Sequence, residues 1–119
     1  MQYVNLLGTL EHCGGLRPFA KMFFDAVGIK DGVERESSNY VDGYYLKGSL
    51  DGLNFTVSLT DDDAHEDLPY WVQVAADMAE PDLLLAAVEQ IVRQLALPAG
   101  FRFARIVNYG KRGEQRIDY

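Results

Sequence analysis

Residues 44–59 read YYLKGSLDGLNFTVSL, two alternating runs of seven residues joined by Asp51-Gly52. Asp-Gly is the preferred pair for a two-residue type I′ turn, because both central positions need a positive φ. Folding the segment at that turn sets a register. Leu50 opposes Leu53, Gly48 opposes Phe55, Leu46 opposes Val57 and Tyr44 opposes Leu59. The other face pairs Ser49 with Asn54, Lys47 with Thr56 and Tyr45 with Ser58. One face is apolar and the other wet, the pattern of an antiparallel sheet covered on one side. The glycine opposite Phe55 leaves room for a ring to lie across the strand.

After the hairpin comes an acidic loop, TDDDAHEDL, closed by Pro69. Residues 70–74, YWVQV, read as the next strand, with Tyr70, Val72 and Val74 on one face and Trp71 and Gln73 on the other. Two amphipathic helices flank this core. Residues 16–28 open with Leu-Arg-Pro, where proline suits a first turn, and carry Phe19, Met22, Phe23 and Val27 at helical spacing up to Gly28. Residues 81–97 begin at Pro81-Asp82, with acids near the positive end of the helix dipole, and carry Leu84, Ala87, Val88, Ile91, Val92 and Leu95. Residues 101–109 read as a strand, 110–113 as a turn and 114–119 as a possible final strand. Residues 29–36 read as a connection or an edge strand. In residues 1–12, Tyr3, Leu6, Leu7 and Leu10 have helical spacing, which predicts a short helical or irregular lead-in. The sum is one α+β domain over residues 1–119: an antiparallel sheet of four to five strands with two helices packed on one face.

Composition sets the class of function. At 119 residues and 48% hydrophobic content, the chain can bury a core of its own. Cys13 stands alone and forms no internal disulfide, which suits a reducing cytosol. The first residues lack the basic region of a secretory signal, and no apolar run reaches the roughly 20 residues of a membrane span. A cytoplasmic, soluble protein with no membrane contact is expected. The net charge of −7 is unevenly spread. Residues 31–89 hold fourteen acids against Arg35 and Lys47, whereas residues 90–119 hold six basic residues against Glu114 and Asp118. Either the two regions neutralise each other within the fold, or the acidic one attracts a basic partner. Nucleic acid is disfavoured, since phosphates need a concentrated positive footprint.

Four groups of side chains are candidates for a role. Asp61, Asp62, Asp63, His65, Glu66 and Asp67 could hold a hard cation, line a recognition surface, or simply be solvated. Their spacing lacks the alternate acids, central glycine and distant glutamate of an EF-hand. His12 and Cys13, with Glu11 beside them, have the residue types of a thiolate pair, but sequence neighbours rarely face each other usefully. Ser37 and Ser38 lack a marked base. No catalytic signature is present and no cofactor is implied. Tyr40, Tyr44, Tyr45, Tyr70 and Trp71 could line a cavity or form the core and rim of the sheet. The acidic loop and Tyr70-Trp71 adjoin, a composition suited to an interface that steers by charge and anchors with rings.

The segments Glu36-Ser37-Ser38-Asn39-Tyr40, Tyr44-Tyr45-Leu46-Lys47-Gly48, Asp61-Asp62-Asp63 and Leu68-Pro69-Tyr70-Trp71-Val72 resemble a pattern among small bacterial immunity proteins. These accompany the toxins of polymorphic and contact-dependent growth inhibition systems. The likeness covers roughly the middle third of the chain. It implies a small cytoplasmic protein that binds the toxin domain of its own system, often a nuclease with a basic cleft. Asp61, Asp62, Asp63, His65, Glu66, Asp67, Tyr70 and Trp71 would then form the partner-binding surface. Two other readings stand beside it: a ligand-binding or enzymatic domain with a pocket between helix 16–28 and the sheet, and a homodimer joined through edge strands.

Overall fold

A computed structural model describes residues 1–61 and 63–119; Asp62 lies outside the described residues. The described residues form β1 (Gln2–Leu10), α1 (Leu16–Val27), β2 (Val33–Glu36), β3 (Tyr44–Leu50), β4 (Leu53–Leu59), β5 (Tyr70–Ala76), α2 (Pro81–Ile91), β6 (Phe101–Val107) and β7 (Gln115–Asp118). The strands make one antiparallel sheet in the order β2-β3-β4-β5-β1-β6-β7. The α+β class is as expected, but seven strands replace four to five. The additional two are β1, expected as a helical or irregular lead-in, and β2, the edge strand that residues 29–36 allowed.

The spacing in β1 misled for a physical reason. It is an inner strand, paired with β5 on one side and β6 on the other. Val4 and Leu6 face the helices, while Leu7 enters a second apolar cluster on the opposite face. A strand buried on both sides loses its alternation, and Leu6-Leu7 mimics a helical stripe. Gly8, which argues against a helix, has its own cause. Any Cβ there would collide with the Phe103 ring, so the glycine makes the seat for that ring.

The hairpin follows the expected register from Leu46–Val57 to Leu50–Leu53, through a turn with Asp51 at φ 50° and Gly52 at φ 82°. The pairs foreseen beyond it, Tyr44 with Leu59 and Tyr45 with Ser58, lie past the end of that ladder. The space over Gly48 is taken by Ile29, in the loop after α1, rather than by an aromatic ring.

Both helices pack on the same face of the sheet, in one core. Phe19 and Phe23 of α1 lie among Phe55, Tyr70, Phe101 and Phe103, with ring centroids 4.3–6.3 Å apart. Met22, expected in the buried stripe, points to solvent; Leu16 and Ala20 complete the stripe instead. The second helical path runs past Ile91 through a π-helical turn (Val92–Ala96) and a 3₁₀ turn (Leu97–Ala99) to Gly100. The wider π turn keeps residues four apart in line. Leu84, Val88, Val92 and Ala96 are therefore buried, while Leu95, expected in the stripe, is exposed. Among the described residues no helix is long and apolar enough to cross a membrane.

Candidate functional site: the acidic loop on the outer sheet face

The face of the sheet away from the helices is polar over β3, β4 and β5. Cross-strand pairing aligns Asn5, Gln73, Thr56 and Lys47 in one row across it. Around Leu7 of β1 and Ala104 and Ile106 of β6 the same face is apolar, and there Leu68, from the loop between β4 and β5, folds down as a cover. Leu68, only 1% exposed, packs with Leu7, Ala104 and Ile106, flanked by Trp71 and Tyr109. At its start, the Thr60 and Tyr109 hydroxyls are 2.9 Å apart and the Thr60 N–H donates to the Pro69 carbonyl at 3.0 Å. Apolar anchoring and backbone closure thus fix both ends of the loop.

Charge fixes it further. The Arg116 guanidinium donates to both Asp67 oxygens, at 2.9 and 2.8 Å, and to Asp118 at 2.7 Å through Nε. Arg102 approaches Asp67 at 3.5 Å. The hydrogen bonds from Arg116 hold the Asp67 carboxyl down at about 2, while Arg116 itself is raised above its usual value by Asp67 first and then Asp118. His65 Nε2 lies 3.5 Å from Glu114. The basic end of the chain therefore neutralises part of the acidic loop from within, the first of the two meanings that charge asymmetry allowed.

The side chains expected to form one surface are sorted by this arrangement. Asp61, Asp63 and Glu66 are exposed and make no ion pair among the described residues. Asp62 belongs to the same run but lies outside the described residues. Asp67 is committed to Arg116. His65 is 8% exposed and turned inward. Tyr70 is 7% exposed, stacked on Phe19 at 4.3 Å, and its hydroxyl accepts from Cys13 Sγ at 3.6 Å. Burial, then that contact, pushes its hydroxyl up to about 12. Tyr70 is a core residue and no surface anchor. Trp71 is half-buried: its ring meets Tyr109 edge-on at 5.3 Å, and its indole N–H donates to Asn5 Oδ1 at 3.0 Å. It braces the loop. Sequence reasoning missed Arg102, Glu114, Arg116 and Tyr109, which form the underside of the site; the basic composition of residues 90–119 was their only signal.

Among the described residues no group of three or more His, Cys, Asp or Glu gathers to hold a metal ion. His12 touches Glu11 at 3.3 Å on the surface, while Cys13 turns toward Tyr70 and the Gly15 carbonyl, so the two do not form a pair. Ser37 accepts a hydrogen bond from the Asn39 N–H, a turn contact. Between α1 and the sheet the space is filled by Phe19 and Phe23. What remains there is a marginal cleft of about 210 Å³ beside Phe24, Val33 and Leu46, below the usual size of a ligand site. A larger groove of about 380 Å³ lies between Leu50, Leu53, Met78 and Ile91, with no converging ionisable pair. Tyr40 and Tyr45 stack at 4.5 Å on the rim of β3. In comparisons with protein-family models, curated proteins and solved structures, the chain matches none of them.

Proposed function

We propose that this chain is an immunity protein that neutralises a cognate bacterial toxin, of the nuclease class, by binding it directly. The observation that carries the reading is the loop: it is clamped from beneath by Leu68 and the Asp67–Arg116 pair, and it presents Asp61, Asp63 and Glu66 outward. A loop already held at its Asp67–Leu68 end has less conformational freedom to lose when it meets a basic cleft, and its charge speeds encounter. The half-buried row of Asn5, Gln73 and Thr56 beside it adds polar side chains on a paired sheet. The resemblance in the middle third of the sequence points the same way. In this revised surface Tyr70 and His65 support the loop from within, and the carboxylates make contact.

The test is a kinetic one. With the toxin domain encoded beside the gene of this protein, the Asp61→Lys/Asp63→Lys variant slows association by at least about tenfold at low salt and flattens its dependence on ionic strength. An association rate that does not change removes the loop from the interface. Failure of the unaltered protein to bind that domain, or to protect cells expressing it, removes the immunity reading itself.

A further inference from the structure

The sheet has two open edges, β2 and β7, and they differ in what they can pair with. In β7 the register sets Ile117 opposite Arg105 and Gln115 opposite Val107, and just beyond the strand the Tyr119 N–H donates to the Phe103 carbonyl at 3.0 Å. The odd-numbered residues therefore spend their backbone groups on β6, and the N–H and C=O of Arg116 and Asp118 point outward. A two-fold axis normal to the sheet opposes outward-pointing residues only to one another. Three registers result: Arg116 against Arg116, Asp118 against Asp118, or Arg116 against Asp118. The first two oppose like charges. The third makes two opposite-charge pairs and sets Ile117, 38% exposed, against its own copy on the axis.

Edge β2 is built the other way. The Ser37 N–H donates to the Gly43 carbonyl at 2.9 Å, so Arg35 bonds inward and Glu34 and Glu36 point outward. Every two-fold register of that strand sets glutamate against glutamate; Glu34 is held by Arg17 at 2.7 Å, and Glu36, with no such partner among the described residues, guards against self-pairing.

We propose that β7 is a self-association edge, on which a second copy of this chain adds antiparallel about Ile117, with Arg116 of each copy paired to Asp118 of the other. Arg116 is already held in place. Of its five N–H donors, the hydrogen bonds to Asp67 and Asp118 engage three, and the remaining two are available to the incoming carboxylate. Asp118 keeps its second oxygen for that role. The strand is four residues long, so the contact is small and the dimer is a concentration-dependent one.

The experiment is sedimentation equilibrium of the full chain, from about 10 μM to 1 mM, a range suited to a small interface. The apparent mass rises toward two chains. Asp118→Arg, which turns both pairs repulsive, weakens the dimer at least about tenfold with an unchanged circular dichroism spectrum. In a second arm, Ile117→Cys in a Cys13→Ala background cross-links on mild oxidation, because directly opposed, non-hydrogen-bonded residues sit about 4.5 Å apart at Cα. Val33→Cys, on the guarded edge, does not. A single-chain mass at the highest concentration overturns the proposal. So does a dimer indifferent to Asp118→Arg, or equal cross-linking at both edges. Should Asp118→Arg fail to fold, the conservative Ile117→Cys decides.

Discussion

Asp67 ties a segment before β5 to the last strand of the sheet through Arg116. Its carboxyl is held at about 2 against an ordinary 3.8, so the sign of its linkage is set. The stabilisation is complete above the ordinary value and disappears as pH falls from about 4 toward 2. Trp71, packed beside the loop, reports the change: its emission should shift across that window, and Asp67→Asn should remove the shift. Leu68 has the apolar half of the same task. Leu68→Ala removes its packing against Leu7, Ala104 and Ile106, and should cost about 2–5 kcal/mol in denaturant unfolding. An effect below about 0.5 kcal/mol, the usual range of surface substitutions, would show that the loop is a passive cover. Tyr70 shows how far a sequence can be followed at this scale. Its alternation with Val72 and Val74 placed it on the core face, and that inference excludes it from the surface on which its aromatic type invited a binding role. Arg116 was beyond reach, since nothing in its neighbourhood announces a partner 49 positions away.

At the scale of elements, local signals worked where each element meets a single environment. The β3–β4 register followed from a turn whose residues allow one geometry and from strands with one wet face. The first helix followed from its stripe, with the exception of Met22. β1 was illegible because it is apolar on both sides, and the phase slip after Ile91 was illegible because a π turn has no marker in the sequence. Gly8 offers the element-scale test. Gly8→Ala places a methyl group against the Phe103 ring and the Arg102 carbonyl. The displaced ring belongs to the core shared with Phe19 and Phe23, so the substitution should destabilise by about 1–3 kcal/mol, although alanine suits a strand interior better than glycine does. Thermal unfolding measures it; a neutral result would place slack around Phe103.

Over the whole molecule, charge and topology answer each other. Antiparallel pairing brings β7 beside β6 and β6 beside β1, so Arg102 and Arg116 of the basic last quarter meet Asp67 of the loop. The sequence showed that asymmetry without its geometry, because ion pairs follow from strand order and strand order hinged on β1. The inner strands β4, β5 and β1 are paired on both sides, whereas β2 and β7 are short edges. Native-state hydrogen exchange should rank accordingly, with amides of β1 and β5 exchanging through global opening and those of β2 by local fraying. Equal protection across the sheet would contradict that ranking. Protection of β7 that grows with protein concentration would reveal its pairing with a second copy.

The position of β1 between β5 and β6 also has a consequence for the order in which the protein is made. A ribosome releases β1 before both its neighbours, one of which ends at Ala76 and the other at Val107. At about 5–20 residues per second, Leu6 and Leu7 travel on the nascent chain for roughly 5–20 s before both their partners exist. Through that interval a sticky strand waits for its slot, and the newborn protein is a client for whatever shields hydrophobic segments at the tunnel exit.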